Sequence, residues 1–96
     1  MLDLRTVLIE TIENVGEPAA ERVRARPVAG QGYSPNIRVS CSVKLREQHP
    51  IGTKFLIQAK LIDRNGTPYL YSRPAAPFRV LSHQEATSYM QARKAG

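Results

Sequence analysis

The sequence predicts an α+β fold: an N-terminal helix, a four- to five-stranded and mainly antiparallel sheet, and a C-terminal helix. Three observations carry this expectation. Apolar residues near the N-terminus recur at helical spacing, residues 37 to 46 alternate between apolar and polar without exception, and Asn65-Gly66 separates two strand-like runs. Residues 1–96 are expected to form one small domain, because chains divide only when each unit receives roughly 100 residues or more. The chain is 42% hydrophobic and 23% charged, as in folded globular domains. It contains no run of ~18 apolar residues that would predict a membrane-spanning helix.

Taking the elements in order, Leu4, Leu8, Ile12 and Val15 define an apolar stripe broadened by Leu2, Val7 and Ile9, so an amphipathic helix is predicted from Leu2 to Val15. Asp3 suits its start, and Gly16 its stop. Residues 17–21 fit a short second helix with proline at its first position, whereas Arg22 to Arg26 alternates like a strand. Pro27 to Pro35 reads as a loop. Its Gly30-Gln31-Gly32 lacks the third glycine of a dinucleotide-binding pattern, so a plain connection is expected.

Ile37, Val39, Cys41, Val43 and Leu45 then alternate with Arg38, Ser40, Ser42, Lys44 and Arg46, which predicts a strand with one buried and one basic face. A second strand runs from Thr53 to about Arg64, and Asn65-Gly66 returns the chain into Thr67 to Arg73. A two-residue turn sets Ile62 opposite Tyr69, Leu61 opposite Leu70 and Lys60 opposite Tyr71. That register places Phe55, Ile57, Ala59, Leu61 and Leu70 in the core. Phe78 to Leu81 is a candidate edge strand. Ser82 and Glu85 form a capping box for a helix from His83 to about Arg93, whose basic end complements the helix dipole. A leading helix before five strands is similar in order to the Sm-like RNA-binding barrels, and size and charge resemble those of small bacterial toxin ribonucleases. The motifs of neither family occur in the chain.

One cysteine, Cys41, excludes an intrachain disulfide, and the N-terminal residues lack the features of a signal peptide, so a reducing, cytoplasmic setting is expected. A chain this short buries only somewhat over 60% of its unfolded surface, which makes a homo-oligomer an expectation as well.

Fourteen Lys and Arg against eight Asp and Glu give a net charge of +6. The excess is not evenly spread. Residues 1–21 hold one cation against five acids, a net of −4, while residues 22–81 hold eleven cations against Glu47 and Asp63, a net of +9. On the predicted outer sheet face, Arg38, Lys44, Lys60 and Arg73 interleave with Tyr69 and Tyr71. Cations neutralise phosphates and aromatic rings stack on bases, so these six residues form a candidate surface for nucleic acid or an acidic partner. The same pattern also suits an ordinary solvated sheet face. With Leu56 and Ile62 beside the tyrosines, it suits an interface between subunits too.

Catalytic and cofactor signals are sparse. No His or Cys pair has metal-ligand spacing, Glu47 and Asp63 stand apart, and Cys41 falls on a buried face where a thiol is inert. No metal and no cofactor are expected, and no small-molecule ligand is specified. Metal-independent RNA cleavage remains an alternative, because His49, His83, the tyrosines and the arginines supply the residue types it needs.

Overall fold

Five of the nine residues from Arg5 to Glu13 are β-branched: Thr6, Val7, Ile9, Thr11 and Ile12. Such side chains lose χ1 freedom in a helix and pack well on a pleated surface. In a computed structural model, which describes residues 4–14, 22–64 and 66–95, this segment is strand β1 (Arg5–Glu13) and not a helix. The predicted N-terminal helix is thereby corrected. The four-residue spacing of Leu4, Leu8 and Ile12 fits a strand of period two as well as a helix. Val7, Leu8 and Ile9 are all buried because β1 is covered on both faces, so no alternation betrays it.

The remaining elements are β2 (Val23–Pro27), β3 (Arg38–Ser40), α1 (Val43–Glu47), β4 (Lys54–Arg64), β5 (Thr67–Tyr71), β6 (Phe78–Leu81) and α2 (His83–Ala95). Strand order is β2-β1-β4-β5-β3, with β6 pairing β4 beside its first half. All ladders are antiparallel except β3 with β5, where Arg38, Val39 and Ser40 run parallel to Tyr69, Leu70 and Tyr71. The six-stranded mixed sheet curls until β2 lies beside β3, giving a nearly closed barrel. Among the described residues no ladder joins those two strands, and the seam is crossed by Arg24 Nη2 donating to the carbonyl of Asn36 at 3.4 Å. The predicted short helix at 17–21 lies outside the described residues. The strand-like alternation that follows it is β2.

Val7, Ile9, Ala25, Phe55, Ile57, Ala59 and Leu70 fill the barrel, and Cys41 and Leu45 join them from the β3–α1 segment. A second apolar layer lies outside, where Ala86, Tyr89 and Met90 of α2 cover Leu8, Leu56 and Leu81. Leu56 is thus covered by the chain's own helix, which removes it from the continuous outer face expected of β4. The hairpin register is as predicted: Lys60 faces Tyr71, Leu61 faces Leu70 and Ile62 faces Tyr69, with Gly66 at φ 77°. Asn65 itself is outside the described residues. Leu61 is a correction, being 53% exposed: among the described residues the ladder with β1 ends at Ala59 and only β5 flanks β4 beyond it. The capping box of α2 also forms, with the Ser82 N–H donating to Glu85 at 2.9 Å and the Glu85 N–H to the Ser82 hydroxyl at 3.1 Å.

The strand predicted from Ile37 to Arg46 stops at Ser40. Cys41 and Leu45, both buried, are separated by four residues, a spacing that one helical turn satisfies as well as alternation does. Ser42 takes the N-cap position, and α1 carries Leu45 into the core while leaving Val43 and Lys44 exposed. No helix among the described residues is long and apolar enough to cross a membrane.

Candidate nucleic-acid interface

Barrel closure creates a groove of about 400 Å³ over the β2–β3 seam. Arg24 and Ala25 of β2 line it with Arg38, Val39 and Ser40 of β3, and Thr67, Pro68 and Tyr69 line it from the hairpin and β5. Asn14 and Arg46 complete the lining. Arg24 belongs here because β2 alternates: Ala25 and Pro27 are buried, so Arg24 and Arg26 point outward. Arg38 and Tyr69 are direct neighbours across the parallel β3–β5 ladder. Arg46 sits beneath, nine-tenths buried, with Nη1 donating to the carbonyl of Val23 at 3.3 Å. Three arginines and one tyrosine therefore line a hollow where, among the described residues, no ladder closes the barrel wall.

The six predicted contact residues do not form one patch. Arg38 and Tyr69 enter this groove. Lys60, Tyr71 and Arg73 line a second one, of about 300 Å³, together with Leu4, Gln58, Ala76 and Pro77. There Lys60 Nζ stands 5.9 Å from the centre of the Tyr71 ring, the cross-strand pair its register implies. Lys44 is set apart on α1 and lines neither groove, since the strand that would have aligned it with Arg38 ends before it.

Arg26, Lys54 and Arg79 are each engaged by a carboxylate of the protein itself. Glu10 of β1 lies between its register partners Arg26 and Lys54 and accepts from both, at 2.9 and 3.3 Å. Arg79 pairs with Glu85 at 3.3 Å. A +9 segment thus presents fewer cations to a partner than its count implies.

Sequence reasoning missed Arg24, Arg46 and Asn14 as groove residues. Alternation in β2 signals that Arg24 points outward, but only closure of β2 against β3 brings it to Arg38. His49 is packed edge-on against Phe55 and Phe78, with ring centres at 5.1 and 6.3 Å, and His83 opens α2; neither lines the groove. His49 instead lines a third hollow, with Arg22, Glu47 and Arg46, so that Arg46 borders both. Among the described residues no group of His, Cys, Asp and Glu is arranged to hold a metal ion. No family model matches the chain, and no curated protein and no solved structure shows significant similarity to it.

Proposed function

We propose that the protein is a non-enzymatic barrel that binds single-stranded nucleic acid in the groove over the β2–β3 seam. The observation that carries the reading is the placement of Arg38 beside Tyr69, with Arg24 and Arg46 lining the same groove. Guanidinium groups bind phosphate oxygens in paired fashion, and a tyrosine ring accepts a base face at about 1–3 kcal/mol per stacked base. The architecture supports the reading. A nearly closed barrel, open among the described residues between β2 and β3, resembles the partly open barrel of the oligonucleotide- and oligosaccharide-binding fold. Ligands of that fold lie across its second and third strands, and residues of β2 and β3 line this groove. Architecture alone hosts many functions, so the residues in the groove carry the weight.

Fluorescence anisotropy with a labelled single strand of about ten nucleotides tests the proposal, that length being within the site size of one barrel. Binding at low salt should weaken with a slope of about −2 or steeper in log affinity against log salt, since three phosphate contacts in this groove contribute about −2. A duplex of the same sequence should bind more weakly. Arg24→Ala with Arg38→Ala should flatten the slope by about 1.4. Absence of binding by the wild type at low salt overturns the proposal.

One observation favours a second reading, metal-independent RNA cleavage. Glu47, His49, Arg22 and Arg46 line one hollow that shares Arg46 with the groove. In this reading Glu47 takes the 2′-hydroxyl proton, the 2′-oxygen attacks phosphorus, and the 5′-oxygen leaves with a proton delivered by His49 acting as general acid. The products are a 2′,3′-cyclic phosphate and a 5′-hydroxyl. RNA that stays intact through long incubation with EDTA excludes it.

A further inference from the structure

We infer that a single strand held over the β2–β3 seam continues across β5 into the groove formed by Lys60, Tyr71 and Arg73. This rests on the reading of the first groove as a single-strand site. The two grooves meet at one point of the ladder: Ser40 lines the first, Tyr71 lines the second, and the two are register partners across β3 and β5. Neighbouring strands lie about 4.8 Å apart, so nothing but the width of one strand pair divides the grooves. Tyr69 and Tyr71 share the outer face of β5, while Leu70 between them is buried. Two residues of strand rise set them about 7 Å apart, giving successive bases of an extended chain two successive rings.

Charge marks the same path. Among the described residues neither Lys60 nor Arg73 has a carboxylate within ion-pair distance, whereas Arg26, Lys54 and Arg79 are held by Glu10 and Glu85. Leu4, Ala76 and Pro77 give the second groove apolar walls beside the Tyr71 ring, a surface suited to the faces of bases of any sequence. Lys60 stands over that ring. A phosphate contact draws the ammonium away and leaves the ring to a base. The strand therefore crosses β5 diagonally, from Arg38 and Ser40 on the β3 side to Lys60 and Arg73 on the β4 side.

The test is a length series of labelled oligothymidylates, measured by anisotropy against salt. Lengthening the strand from about four to about ten nucleotides, both within the site size of one barrel, should raise wild-type affinity at least about tenfold. Lys60→Ala with Arg73→Ala should lose that gain and lower the salt slope for the long strand by about 1.4, for two phosphate contacts. Affinity for the short strand should change by less than about twofold, since its groove is intact. The charge-preserving pair Lys60→Arg with Arg73→Lys should keep the long-strand slope, which separates lost charge from lost folding. If the wild type binds both lengths and Lys60→Ala with Arg73→Ala leaves the long-strand affinity and slope unchanged, the inference is wrong and the first groove stands. If that variant loses binding of an acidic peptide but not of the long strand, the second groove belongs to a protein partner and the inference is again overturned. If the wild type binds neither length, the reading of the first groove fails, and this inference with it.

Discussion

Gln31 binds the backbone of Leu8 as a neighbouring strand would. The Leu8 N–H donates to Gln31 Oε1 at 2.8 Å, and Gln31 Nε2 donates to the carbonyls of Leu8 and Val28, each at 2.8 Å. The relationship follows from where β2 ends. Its ladder with β1 stops at Ile9 and Pro27, and Val28 returns only one bond, from its N–H to the Leu8 carbonyl at 3.0 Å. The side-chain amide fills the missing place, which keeps Leu8 satisfied beneath α2 and fixes the loop that leads from β2 to β3.

Replacing that amide should therefore be costly. Gln31→Leu leaves the buried Leu8 N–H without its acceptor, a loss of about 1–3 kcal/mol. Urea unfolding monitored by circular dichroism should show a lower midpoint with an unchanged m-value. A midpoint within error of the wild type would mean that water replaces the amide.

The same loop makes Gly30 intolerant of a side chain. Its φ of 101° lies where L-residues are strained, and a Cβ there would stand 3.2 Å from the terminal methyl of Met90. Because that methyl ends a flexible side chain, the backbone dominates. Gly30→Ala should cost at least about 1 kcal/mol by the same unfolding assay.

Helix α2 should respond to acid through Glu85. The Ser82 backbone N–H, then the Ser82 side chain and Arg79, hold its carboxyl below the usual carboxylate range. A carboxylate whose pKa is lower folded than unfolded stabilises the fold above its unfolded pKa, and the contribution is lost as pH falls through the folded value. The midpoint difference between wild type and Glu85→Gln should be constant near neutrality and shrink as pH drops below about 4. Ser82→Ala should cost about 1 kcal/mol at neutral pH, the usual effect of removing an N-cap hydroxyl.

Lys44 and Arg38 separate charge in general from charge in the groove. Each substitution to Ala removes one cation, but only Arg38 lines the groove. Arg38→Ala should lower the salt slope for a single strand by about 0.7, and Lys44→Ala should leave it unchanged. Equal effects would show that binding follows net charge.

Legibility in the sequence followed locality. The Asn65-Gly66 hairpin and the α2 capping box are short-range patterns, and both were readable. β1 was not, because Leu4, Leu8 and Ile12 fit two periods and burial on both faces erases alternation. The end of β3 was hidden the same way, since Cys41 and Leu45 satisfy a helical turn and an alternating strand alike. That ambiguity assigned Lys44 to a face it does not share. The groove itself depends on β2 meeting β3, a contact between segments separated by a loop, so Arg24 and Arg46 carried no local mark of their role. Arg38 and Tyr69 were readable individually, but not as partners.

Nuclear magnetic resonance titration with a single strand of about four nucleotides, the lower end of the site size of one barrel, tests the central claim most directly. Backbone amide shifts should concentrate on Arg24, Ala25, Arg38, Val39, Ser40 and Tyr69, the residues lining the β2–β3 groove. Amides of Gln84, Ser88 and Tyr89, on the α2 face, should stay in place. Shifts confined to the α2 face, or no shifts at saturating single strand, would contradict the account.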